Sequence, residues 1–328
     1  MSIDDPGDVS QPSIQADSRK NQVGIATLDM ATLTSQKFQH RYWQPGVAVR
    51  ITGLLQEQAP WTLDFLCQHL GDLHFPVRQY GRERYQHDKR DWLDMGSGVP
   101  VRSLSFRDYA AMIRNGEAHQ QDLYLARCSL KGTPLEHASK LTQVEARMGL
   151  SFSVTALNLW CGVAGHTSCL HYDPMDGVLM HLVGSKKITL FPPSQLYNLY
   201  PFGVWNHLFY GLKRRAVYSQ VYPDMPDFES FPRFRKALPH RIDLLLQPGE
   251  ILFIPAGWWH EATSVGEGLV CSVNRWWNVP WRRSLRTWSK WRAHFGGMLS
   301  FPHVLWSLLS ALPSTARNQK LKEIIQQL

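Results

Sequence analysis

Between residues 151 and 280 the chain is cut into eight short apolar runs by turns that carry glycine or proline. They are "SVTALNLWCG", "SCLHYD", "GVLMHLVG", "KKITLFPP", "RIDLLLQPGE", "ILFIPAG", "HEATSV" and "LVCSVNRWW". Runs of this length, rich in β-branched and aromatic residues, read as strands. The helices are read before and after them, which argues against a parallel sheet built from strand–helix–strand units and points to an antiparallel sandwich or barrel. In such an architecture the inward face of each strand is packed against the core. The residues that interrupt the apolar pattern therefore carry the information about chemistry.

Helices are expected before and after this block. "PWTLDFLCQHLGD" places Trp61, Phe65, Leu66 and His69 at helical spacing and ends at Gly71. "SLSFRDYAAMIRNG" reads as an amphipathic helix capped by Ser105 and stopped at Gly116. A short helix is expected within 28–43, and "GVAVRITG", "FPVRQYG" and "DLYLARCSL" read as strands. After the block, "WRRSLRTWSKWRAHFGGMLS" predicts one helix with Trp281, Leu285, Trp288, Phe295 and Leu299 near one face and arginines interleaved. "NQKLKEIIQQL" predicts a closing helix.

Residues 1–24 are rich in Ser, Gln, Asp and Pro and read as a disordered tail. The expected division is therefore tail 1–24, main domain 25–280 and a helical segment 281–328. The first twenty residues lack a basic start and an apolar stretch, so they are not read as a secretory signal. The five cysteines are odd in number, scattered and free of any CxxC, which fits reduced thiols in a cytoplasm, or a nucleus in a eukaryotic cell, and no zinc knuckle. The formal charge of +8 favours acidic partners without specifying one.

On a strand, side chains two apart share a face, so His171 and Asp173 point the same way. Burying an imidazole beside a carboxylate is costly unless something pairs with both, and a divalent metal would. "PAGWWHEA" offers His260 as a third ligand from a strand distant in sequence but adjacent in a jelly roll. Two histidines and a carboxylate on one side of a metal leave open positions, the arrangement of non-haem Fe(II) oxygenases. Lys186 shares a face with Ile188 and Leu190 and is expected to point inward, with Lys187 outward. There it would face the far carboxylate of a bound 2-oxo acid, whose charge would let the buried lysine keep its proton. His181 reads as a hydrogen-bonded core histidine, Cys169 as a small core residue, and Trp258 and Trp259 as packing around His260.

Four blocks in order, "LWCGVAGHTSCLHYD", "GSKKITLFPPSQLYNLYPF", "LQPGEILFIPAGWWHEA" and "CSVNRWW", resemble the JmjC and cupin-like 2-oxoglutarate oxygenases. The likeness is greatest to the small protein-hydroxylase branch that includes factor inhibiting HIF, and it runs from about residue 36 to 280. It implies a double-stranded β-helix (jelly-roll) barrel with N-terminal αβ additions and C-terminal helices. Carried over by position, His171, Asp173 and His260 bind Fe(2+). Lys186 holds the far carboxylate of 2-oxoglutarate, Tyr124 and Ser168 bond the same carboxylate, and Asn274 lines the co-substrate pocket. Where the branch has an asparagine four residues after the metal aspartate, this chain has Gly177.

The activity implied is O2-dependent hydroxylation of an amino-acid side chain in a peptide or protein, with decarboxylation of 2-oxoglutarate to succinate. N-methyl-lysine demethylation and small-molecule hydroxylation are the alternatives within the enzyme class, and a non-catalytic cupin-fold binding protein the alternative outside it. For the Trp/Arg segment, a homodimer through the C-terminal helices ranks first, contact with an anionic membrane surface second and nucleic acid third. The basic run "RQYGRERYQHDKR" reads equally as a substrate border and as a solvated loop.

Overall fold

The structure, a computed structural model, describes residues 24–55, 61–92, 94 and 98–311. The tail expected at 1–24 and the closing helix expected at 318–328 lie outside the described residues, save Gly24. The N-terminal part runs β1 (Ala26–Asp29), α1 (Ser35–Phe38), a π-turn at Gln39–Trp43, β2 (Val49–Thr52), α2 (Leu63–Leu70), β3 (His74–Gln79), β4 (Val101–Ser105), α3 (Phe106–Arg114), α4 (Glu117–Gln120), β5 (Leu123–Ser129) and α5 (Ser139–Met148). All eight expected barrel strands follow: β6 (Asn158–Val163), β7 (Thr167–Tyr172), β8 (Asp176–Val183), β9 (Ser185–Phe191), β10 (Ile242–Leu246), β11 (Ile251–Ile254), β12 (Trp259–Val265) and β13 (Leu269–Trp277). One short α-helix, α6 (Asn206–Tyr210), and three 3-10 segments do interrupt them between β9 and β10. The chain continues with α7 (Trp281–Arg286), α8 (Trp288–Leu299) and α9 (Phe301–Ala311).

The strands form two sheets, ordered β1-β2-β11-β8-β13-β6-β5-β3-β4 and β10-β9-β12-β7. The double-stranded β-helix is thus widened on one side by five strands from the N-terminal part. All pairings are antiparallel except β1 with β2. Alternation decides what each face buries. Leu123, Leu125, Leu159, Met180, Phe253 and Val273 point out of the large sheet into the main core, where α2, α3 and α5 add Leu66, Phe106, Tyr109 and Val144. The outer face of the small sheet, with Leu170, Tyr172, Phe191 and Trp259, is covered by Leu199, Val221, Phe231 and Phe234 from the excursion between β9 and β10. Each of these fully buried side chains contributes roughly 1.5–3 kcal/mol of transfer free energy. With both outer faces covered by hydrocarbon, the space between the sheets is free to hold polar groups.

The caps follow their residues. Thr62 Oγ1 accepts from the Phe65 amide at 3.2 Å, and Ser105 Oγ from the Asp108 amide at 3.0 Å. The single helix expected after residue 280 is instead two, broken at Thr287 (φ −87°, ψ 87°). Arg283 reaches the buried Asp176 carboxylate, and Arg292, itself buried, reaches the carbonyls of Phe202 and Ala216. Nine residues on a straight helix turn through two and a half circles and would face these arginines oppositely. Breaking the helix lets Arg283 reach Asp176 while Arg292 reaches Tyr172 and the excursion between β9 and β10.

Candidate metal and co-substrate site

In β12 and β7, His260 stands directly opposite His171, and on the other side of β12 it faces Leu190. Cross-strand partners share a face, so both imidazoles project between the sheets, their ring centres 4.3 Å apart. Asp173 lies just past the end of β7, with one oxygen 3.9 Å from His260 Nε2. The structure brings His171, Asp173 and His260 together: one donor atom from each lies within 4.8 Å of the others.

Each donor is held from behind. His171 Nδ1 lies 2.8 Å from the Cys169 carbonyl and His260 Nδ1 3.2 Å from that of Trp258. A ring nitrogen next to a carbonyl must carry the proton, which leaves Nε2 on both rings as an acceptor. Burial, reinforced by the neighbouring His260, lowers the His171 pKa to about 4, so the ring is neutral and ready to ligate. Asp173 Oδ2 accepts from Trp276 Nε1 at 3.0 Å. Two imidazoles and a carboxylate, with no thiol among them, suit a borderline divalent cation such as Fe(2+).

Lys186 and Lys187 divide as their alternation predicts. Lys187 pairs with Asp224 at 2.8 Å on the surface, while Lys186 is buried. Its Nζ has one hydrogen-bond partner among the described residues, Tyr124 Oη at 3.4 Å. Burial pulls its pKa down to about 8. Lys186 sits four residues along β9 from Leu190, about 13 Å at strand rise. Leu190 in turn faces His260, so Lys186 and the three donors lie at different levels of the same interior wall.

Tyr124 comes from β5 of the opposite sheet. Its ring stacks on His166, centroids 3.7 Å apart at 16°. His166 is fixed in turn by Asp122 at 2.9 Å, a carboxylate that also accepts from Tyr85 at 3.1 Å. The ring lies over Gly162, where a Cβ would stand 2.3 Å from Tyr124 Cδ2, so only glycine fits.

Ser168 is three residues before His171 and on a regular strand would face away from it. The register slips between β7 and β12: His171 opposes His260 but Ser168 opposes Ala262. This bulge returns Ser168 to the interior face. Asn274 is buried on β13, and its Oδ1 accepts from Trp160 Nε1 at 2.8 Å.

A family profile described as a cupin-like domain matches residues 35–282. The chain belongs to the cupin-like domain family. It is 28% identical over 192 residues to "Lysine-specific demethylase JMJ31" of Arabidopsis thaliana, covering 56% of this chain and 32% of that protein. It is 36% identical over 122 residues to "Lysine-specific demethylase 8" of Xenopus tropicalis, covering 37% and 25%. It is 28% identical over 251 residues to "Lysine-specific demethylase JMJ30" of Arabidopsis thaliana, covering 75% and 53%. The matched stretches therefore span between a quarter and about half of these relatives' lengths.

Two groups in this cupin-like domain escaped the sequence reading. Trp276 holds Asp173, and its indole fills the space beside Gly177, where a Cβ would stand 3.3 Å from Nε1. Tyr218, from the excursion, forms a bridge with His171 and stacks on its ring at 5.1 Å. The glycine was a readable signal for the first; nothing in the sequence signalled the second. His181 is the satisfied core histidine expected, bonded to Ser272 Oγ at 2.9 Å and the Gly184 carbonyl at 2.8 Å. Cys169 packs with Trp92 and Phe202. All five cysteines are free, and no helix among the described residues is long and apolar enough to cross a membrane.

Proposed function

We propose that this chain is an Fe(II)- and 2-oxoglutarate-dependent oxygenase that hydroxylates a side chain of a peptide or protein. The observation that carries the proposal is a buried ammonium with one neutral partner, on the same interior wall as two imidazoles and a carboxylate. A lysine in that setting holds its proton less firmly than in water, and an anion opposite it would stabilise the cation. In this reading His171, Asp173 and His260 hold the iron through Nε2, a carboxylate oxygen and Nε2. Lys186, Tyr124 and Ser168 hold the far carboxylate of 2-oxoglutarate, and Asn274 borders the pocket. When bound, the metal with 2-oxoglutarate and O2 would supply the oxidising power to insert oxygen into a C–H bond while the oxo-acid is split into succinate and CO2.

The side chains supply position. Trp276 directs Asp173, the two backbone carbonyls fix the imidazole tautomers, and Tyr218 packs on His171. The hydrocarbon of Ile188, Leu190, Leu252 and Leu246 lines the interior and keeps water from it. The same chemistry at an N-methyl group would release formaldehyde, and the names of the relatives make demethylation the second reading. The domain division at 25–280, a cytoplasmic or nuclear setting and a homodimer through the C-terminal helices belong to this proposal. The last is supported by the exposed stripe of Trp288, Trp291, Phe295 and Met298 on α8.

The test is succinate release from 2-oxoglutarate by the iron-loaded chain with a peptide library, read alongside mass spectrometry. Succinate with a gain of one oxygen on a peptide is the expected result. Loss of a methyl group identifies the demethylase. No succinate above the His171→Ala level with any peptide leaves a binding protein.

A further inference from the structure

A cavity of about 640 Å3 opens between α7, the start of α8, the turn at 44–46 and the loop after β9. Its volume falls in the range of roughly 300–1,000 Å3 usual for small-molecule sites. None of His171, Asp173, His260 or Lys186 lines it, so it is separate from the metal site. Three of its lining residues are Arg282, Arg283 and Arg286, and none of the described residues around it is acidic. Residues 268–322 contain no Asp or Glu, so α7, α8 and α9 carry no acid of their own. Asp176, reached by Arg283, is already filled by Trp43 and the Ala256 amide as well. Arg282 and Arg286 stand four apart on α7, which puts them on one face, and both are exposed. Among the described residues neither has a carboxylate partner; Arg282 lies over the Trp281 ring at 5.2 Å. The inner wall is built around Arg283: Gly46, at φ +74°, leaves room for it, since a Cβ there would stand 2.5 Å from Nη1. Arg283 Nε and Nη1 and Ser289 Oγ are buried on that wall without a hydrogen-bond partner among the described residues. Tyr197 and Trp288 line the same cavity, half-exposed and tied by Trp288 Nε1 donating to Tyr197 Oη at 2.9 Å.

We infer that this cavity binds a phosphate ester, with Arg282 and Arg286 holding the phosphate oxygens and the Tyr197–Trp288 pair receiving the aromatic or apolar body that carries it. The inference stands apart from the oxygenase reading. Like charges on one face repel, and an anion between them turns that repulsion into attraction. One guanidinium fork satisfies a carboxylate, whereas a phosphate has oxygens for two. A pair of tied aromatic rings offers a flat, rigid surface to a planar or apolar group. A nucleic-acid backbone would need the basic track to continue beyond the cavity. Instead the neighbouring exposed side chains Trp281, Leu285 and Trp291 are apolar. A free phosphomonoester and a phospholipid headgroup offer the same chemistry, and they are told apart by experiment.

The experiment titrates the full chain with adenosine monophosphate, adenosine and an oligothymidine by calorimetry, and measures co-sedimentation with phosphatidylglycerol vesicles. A chelator is present throughout, so that the metal site takes no part. The expected result is salt-sensitive binding of adenosine monophosphate and none of adenosine. The double variant Arg282→Glu with Arg286→Glu should weaken binding about tenfold or more, the loss of charge-assisted hydrogen bonds. Arg286→Lys should retain more of it than Arg286→Gln, and melting curves report that each variant is folded; both single variants keep the test open if the double one is not. Vesicle binding with the same loss in the variants, and none of the nucleotide, would support the site and assign the headgroup as its source. Failure of both nucleotide and vesicles to bind would overturn the inference. So would adenosine binding as tightly as its phosphate, tighter binding of oligothymidine, or affinities unchanged by the charge reversals.

Discussion

Lys186 shows how one residue can carry a functional argument. Its ammonium is buried with Tyr124 Oη as hydrogen-bond partner, and burial depresses its pKa to about 8. As pH rises through 8 the free protein loses the cation, so affinity for 2-oxoglutarate should fall between pH 7 and 9. The diacid stabilises the charged form, which moves the titration upward in the complex. Calorimetry with the Mn(II)-loaded chain should show this slope. Lys186→Met should flatten it and weaken binding about 10- to 100-fold, the loss of a charge-assisted hydrogen bond. Trp276 acts one step further out, through Asp173 Oδ2. Trp276→Phe keeps the ring and removes the donor. Metal affinity should drop about 10- to 100-fold, as for other outer partners of a metal ligand, read by Co(II) absorption. An unchanged affinity would mean the indole bond does not orient Asp173.

At the scale of elements, the paired strands β5 and β6 leave no slack at one point. Gly162 leaves the room that the Tyr124 ring occupies. Gly162→Ala should cost about 1–3 kcal/mol, the range for an overpacked core, and lower the melting temperature. Because the displaced ring is the partner of Lys186, 2-oxoglutarate binding should weaken beyond what the loss of stability explains. An alanine variant with unchanged melting and binding would show that β5 can shift without consequence. The bulge in β7 is a second element-scale device. It lets Ser168 and His171, three apart, face the same interior, a result that strict alternation forbids.

Across the whole molecule, Asp176 joins three regions. Its carboxylate accepts from Trp43 Nε1 at 2.9 Å, from the Ala256 amide at 2.9 Å and from Arg283. The N-terminal π-turn, the barrel and α7 thus meet at one fully buried acid. Arg283→Ala would strand that charge and should destabilise the chain by about 3–5 kcal/mol. Asp176→Asn added to it should restore part of the loss, since the amide carries no charge to strand. Chemical denaturation of both variants measures this, and equal stability of the single and double variants would count against it.

The sequence by itself determined the strands of the barrel, the HxD pair, the third histidine and the inward lysine. These follow from period-two alternation and from the cost of burying polar side chains, which are local properties of the chain. Only the tertiary structure decided how Ser168 returns to the interior, that Trp276 bonds Asp173 and Tyr218 stacks on His171, and that the C-terminal helix breaks at Thr287. Each of these depends on pairing register or on contacts between distant segments, and a one-residue slip in register reverses every side chain it touches without leaving a mark in the sequence.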